Sequence, residues 1–112
     1  MDDTGLGEVT SIDHPWGKEE IFADVEGRFV GKVLHVRSGA RLALQLHLDV
    51  EEVLSLMTGG VELDIGEDAD SLTKVVLVPG QTVSIPPGTV HRISATQDSM
   101  LLEVSRSAQG PT

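Results

Sequence analysis

Cysteine is absent from the 112 residues, which excludes a disulfide framework and a thiolate zinc cluster. A transition metal bound here must be held by histidine, carboxylate, amide or water. Aromatic residues are nearly as scarce, with one tryptophan, two phenylalanines and no tyrosine. The interior must therefore be filled by aliphatic side chains, and a pocket has few platforms for stacking a base or sugar ring. Basic residues number 8 against 18 acidic ones, for a formal net charge of -10. Such a surface repels phosphate backbones and anionic headgroups, so neither nucleic acid nor membrane is an expected partner. No apolar run is long enough to span a bilayer, and Met1 to Asp13 lacks the basic start and apolar centre of a secretory signal. The expectation is a soluble cytoplasmic protein.

Apolar residues make up 39% of the chain and recur mostly with period two between glycine, proline and acidic turns. This pattern predicts an all-β domain. The expected strands are Glu20 to Val25, Arg28 to Val36, Arg41 to Leu48, Val53 to Met57, Val61 to Ile65, Thr73 to Val78, Thr82 to Ile85, Val90 to Ser94 and Met100 to Val104. Short strands at this spacing imply a sandwich or barrel. Residues 13–105 form the expected folded domain, with flexible tails at 1–12 and 106–112, where periodicity is lost.

Two stretches carry imidazole, carboxylate and amide groups framed by turn residues, an arrangement suited to a mononuclear metal site in a small barrel. In the first, strand alternation places Arg41, Ala43, Gln45 and His47 on one face and Leu42, Leu44, Leu46 and Leu48 on the other. Either the polar face meets solvent over a leucine core, or it lines the barrel interior. In the second case the leucines point outward and need cover, which predicts a homodimer.

The first stretch reads Gly39, five residues, Gln45, one residue, His47, four residues, Glu52, six residues, Gly59. It resembles the first cupin motif, with Gln45 where a histidine is usual. The second reads Gly80, five residues, Pro86, one residue, Gly88, two residues, His91, and resembles the second cupin motif, with Ala95 where an asparagine is usual. The opening His14-Pro15-Trp16-Gly17 followed by Glu20, the run Gly39 to His47 and the run Ile85 to Arg92 are similar to type II mannose-6-phosphate isomerase domains. The resemblance covers His14 to Val104 and implies a double-stranded β-helix, the cupin jelly-roll barrel.

By that resemblance Gln45, His47, Glu52 and His91 are the metal ligands, with Glu51 as the fallback for Glu52. A set with two imidazoles, one carboxylate and a neutral amide suits one divalent Mn, Fe, Co, Ni or Zn ion. The implied chemistry is aldose–ketose isomerisation of a sugar or sugar phosphate, with Glu52, Glu51 or His35 as candidate base. Leu48, Asp49 and Val50 stand where those isomerases carry further histidines and an arginine, so a phosphate-binding cation is missing there. Arg41 and Lys18 are the candidate substrate-binding cations. Trp16 is read as packing a terminal segment, and Arg92, on the parity opposite His91, as an ion-pair residue. Two other functions fit the same ligand set: an Fe(II)-dependent dioxygenase acting on a small organic substrate, and a non-enzymatic cupin that binds a small ligand.

Overall fold

Alternating apolar and polar residues become strand almost wherever they occur. The computed structural model describes residues 7–107, which form β1 (Thr10–His14), β2 (Gly17–Val25), β3 (Phe29–Val36), β4 (Gln45–Leu46), β5 (Val50–Thr58), β6 (Val61–Gly66), β7 (Leu72–Leu77), β8 (Thr82–Ile85), β9 (Val90–Ala95) and β10 (Ser99–Ser107). They build two antiparallel sheets, one ordered β1-β2-β3-β10-β5-β8 and the other β4-β9-β6-β7. This is the all-β architecture the sequence implied. No helix among the described residues is long and apolar enough to cross a membrane.

The core is aliphatic, as the shortage of aromatics requires. Leu34, Val36, Leu54, Leu56 and Leu101 from the larger sheet pack with Leu63, Leu77 and Ile93 from the smaller one. Leu54, Leu56, Leu63 and Leu101 are fully buried. The turn from β5 to β6 depends on Gly59, whose φ is +97°. A Cβ there would run into Ser99 Oγ and the Asp98 carbonyl, so the position requires glycine both for its backbone and for space.

Two expectations need correction. Thr10 to Ile12, expected in a loose tail, pair with Ile21, Glu20 and Glu19 of β2, and Arg106 and Ser107, expected in the other tail, pair with Glu51 and Val50 of β5, while residues 1–6 and 108–112 lie outside the described range. The single strand expected over Arg41 to Leu48 is broken: only Gln45 and Leu46 join the ladder with β9, and Arg41 makes an isolated bridge to Ser94. Leu42 is buried and Arg41 exposed, yet farther on Gln45 is half-buried while Leu46 is 52% exposed. The inward parity therefore switches within Ala43 and Leu44, so Arg41 does not share a face with Gln45 and His47.

Candidate functional site

The four residues of the two motifs come together between the sheets. Gln45 on β4 lies directly opposite His91 on β9, which fixes one wall. His47 follows β4 immediately, and its Nε2 is 3.3 Å from Gln45 Oε1. Glu52, on β5 of the opposing sheet, completes the group. Its Oε1 is 3.3 Å from His47 Nε2 and its Oε2 is 3.9 Å from His91 Nε2. The two imidazole centroids are 6.3 Å apart. Two donors each about 2.1 Å from a shared ion are separated by no more than about 4.2 Å, and the donor separations of 3.3, 3.3 and 3.9 Å fall within that limit. The described residues include no three His, Asp or Glu groups already set around one ion position. His47 is the most exposed of the four, at 43%.

Burial separates the roles of these groups. Glu52 and His91 are 4% and 1% exposed; Glu52 Oε1 has only the 3.3 Å contact with His47 Nε2, and the His91 ring, with the Thr89 backbone as its one hydrogen-bond partner, leaves a ring nitrogen unpaired. Buried polar atoms are ordinarily paired, and leaving one unpaired costs about 1–3 kcal/mol. Burial holds the His91 imidazole below the usual histidine range, with the Glu52 carboxylate opposing the shift and His47 adding to it. A neutral ring with a free nitrogen is the form in which histidine acts as a ligand.

Beside this cluster a cavity of about 270 Å³ opens, lined by Gln45, His47 and Glu52 on one side and by Trp16, Glu19, Lys32 and Glu103 on the other. The second group went unrecognised in the sequence. Lys32 lies opposite Glu103 across β3 and β10, and Glu103 lies opposite Leu54, one inward step from Glu52 on β5. Lys32 Nζ is 3.1 Å from Glu19 Oε2, and His14 Nε2 is 3.1 Å from Glu19 Oε1. A line of ionisable side chains thus crosses β1, β2, β3, β10 and β5. Burial alone would raise the Glu19 carboxyl, but hydrogen bonds from Lys32 and His14 outweigh it and hold the group below its usual range. Glu103 is pushed up to about 7 by burial and then by the charge of Glu52, against the pull of Lys32. The signal was present: Lys32 shares inward parity with Leu34 and Val36, as Glu103 does with Leu101.

The remaining candidates stand elsewhere. Glu51 faces away from Glu52 and pairs with Arg106. His35 pairs with Glu20, and with its cross-strand neighbour Lys18 it lines a separate open groove at the level of Arg37 and Asp98. Arg41 is exposed and does not line the cavity of Glu52. Arg92 pairs with Asp64 at 3.2 Å, as its parity implied. Trp16 packs on the core, stacks on His14 with ring centroids 4.5 Å apart, and also lines the cavity.

Residues 3–107 match the profile of the family described as mannose-6-phosphate isomerase C-terminal. Alginate biosynthesis protein AlgA of Pseudomonas fluorescens is 31% identical over 96 residues, covering 83% of this chain and 19% of that protein. The chain thus spans about a fifth of the length of the curated relatives it matches. Among solved structures, KdgF from Halomonas sp. aligns with a TM-score of 0.73 at 18% identity, over 88% of this chain and 86% of that one. Oxalate decarboxylase of Bacillus subtilis, in a structure concerned with its Mn(II) centres, aligns with a TM-score of 0.75 at 16% identity, over 90% of this chain and 28% of that one. At such identities the structural likeness establishes the fold, and it is the cupin fold the two motifs implied. The sequence match establishes more, and this chain belongs to the mannose-6-phosphate isomerase C-terminal family.

Proposed function

We propose that this domain binds one divalent metal ion per chain through Gln45, His47, Glu52 and His91, and that it interconverts an aldose and a ketose in the adjoining cavity. The observation that carries the reading is the buried, under-satisfied pair Glu52 and His91, with a ring nitrogen of His91 left unpaired, gathered beside His47 and Gln45. A structural histidine–carboxylate cluster would satisfy its own hydrogen bonds, whereas a ligand set leaves lone pairs free. The donors fit Mn, Fe, Co, Ni or Zn, and the Mn(II) centres of oxalate decarboxylase give a precedent on the same fold.

When bound, the ion supplies Lewis-acid polarisation of a carbonyl oxygen and its neighbouring hydroxyl. The protein's own groups do the rest. Glu52 is committed to the ion and Glu19 is held by Lys32 and His14, so the carboxyl left to move a proton between adjacent carbons is Glu103, on the same cavity wall. Lys32, opposite it across the ladder, donates to substrate oxygens. Glu51 and His35, the other candidate bases, belong to other surfaces. A cavity of about 270 Å³ lies just below the roughly 300–1,000 Å³ of drug-sized ligand sites and suits a single sugar unit.

The test is a panel of aldoses, free and phosphorylated, incubated with protein loaded with Mn(II), Co(II), Ni(II) or Zn(II). Ketose should form with at least one pairing, and Glu103→Gln should keep its metal while losing turnover by about 10²-fold or more. Absence of turnover across the whole panel would overturn the isomerase reading. We also propose a homodimer. Leu44, Leu46 and Leu48, at 39%, 52% and 75% exposed, form the outward apolar edge that a second copy would cover.

A further inference from the structure

We infer that the cavity beside Glu52 takes an uncharged polyhydroxylated ligand, a free sugar or polyol, and excludes the corresponding phosphate ester. The inference rests on the sugar-site reading above and narrows it to a substrate class. Its basis is the charge of the wall. Among the described residues, Lys32 is the only lysine or arginine that lines the cavity, and residues 1–6 and 108–112 contain neither residue type. That one ammonium is already engaged, 3.1 Å from Glu19 Oε2 and directly across the ladder from Glu103. Three carboxyls, Glu19, Glu52 and Glu103, share the space with it.

A divalent ion at Glu52 would bring this wall only to about neutrality. A phosphate ester carries a further charge of about −1.5 to −2 at pH 7 and three acceptor oxygens that need donors. Arginine forks or backbone N–H cradles are the usual donors for such a group, and this cavity has no arginine lining. A wall near neutrality offers an anion no net attraction and too few donors, and leaving its charge unpaired is one of the routes to specificity. A sugar hydroxyl has the opposite fit. It donates to Glu103 or Glu19 and accepts from Lys32, so the alternating row of acceptor, donor and acceptor matches a run of adjacent hydroxyls. Arg41 and Lys18, the cations expected to bind substrate, do not line this cavity and supply no counter-charge there.

The experiment is ligand-observed NMR on Zn(II)-loaded full chain, with D-mannose, D-glucose and D-fructose titrated against their 6-phosphates. At least one free sugar should bind about tenfold or more tightly than its phosphate. Glu19→Gln removes the partner that neutralises Lys32, so it should narrow that ratio several-fold. Lys32→Met, which keeps the length of the stem, should weaken the free sugar without improving the phosphate. A phosphate ester that binds as well as the free sugar, or better, overturns the inference and leaves the sugar-site reading standing. No binding by any of the six compounds to zinc-loaded protein overturns both. A ratio unmoved by Glu19→Gln in a variant that still binds the sugar removes the assigned cause and overturns the inference.

Discussion

Glu19 and Glu103 face one cavity from one sheet, yet their protonation behaves oppositely because their neighbours differ. Glu19 is held below its ordinary 4.5 by Lys32 and His14, so it contributes stability that is present above pH 4.5 and is lost as pH falls through its folded value. Glu19→Gln should therefore cost about 1 kcal/mol at pH 7, and the gap to wild type should close in acid. Urea denaturation of both proteins from pH 7 downward measures it, and a gap that does not narrow as pH falls below 4.5 contradicts the ion-pair account. Glu103 is raised from 4.5 to about 7, so its contribution is fully present below pH 4.5 and is lost as pH rises through 7. The motif residues Gln45, His47, Glu52 and His91 were legible because glycines and prolines at fixed spacing mark the turns that aim them. For Lys32 and Glu103 inward parity was the one signal in the sequence, and their meeting with Glu19 was not legible, because only the register between strands distant in sequence places them side by side.

At the scale of the element, alternation located nine of the strands but not their continuity. The run from Leu42 to Leu48 alternates perfectly in sequence, while in the fold its inward parity switches at Ala43 and Leu44. Core burial of Leu42 and inward placement of Gln45 cannot both be met by an uninterrupted strand, since side chains an odd number of residues apart face opposite sides. Strand β1 was missed for another reason. Thr10 to Ile12 stay exposed even when paired, so no apolar pattern announces them. Strand β5 is the converse case, with Glu52, Leu54 and Leu56 all buried on one face. Leu54→Ala should destabilise the protein by about 2–5 kcal/mol in urea denaturation, through lost burial plus the cavity it leaves. A cost below about 1 kcal/mol would show that this face is not the centre of the core.

The described residues form an aliphatic sandwich with a polar pocket beside Glu52 and a leucine-lined edge open to solvent. The edge predicts self-association, and Leu46→Asp with Leu48→Asp should convert a dimer to a monomer in size-exclusion chromatography with light scattering. A wild-type chain that is monomeric at high micromolar concentration contradicts that expectation. The pocket carries the central claim, and metal content tests it most directly. Protein purified without added metal, or reconstituted and desalted, should hold close to one divalent ion per chain, and an ion at 100 times its Kd should raise the melting temperature by about 10 °C or more. His47→Ala and Glu52→Gln should lose both the ion and the thermal shift while remaining folded. Variants that retain a full equivalent of metal, or a wild-type protein that takes up none from Mn(II), Co(II), Ni(II) or Zn(II), would contradict the account.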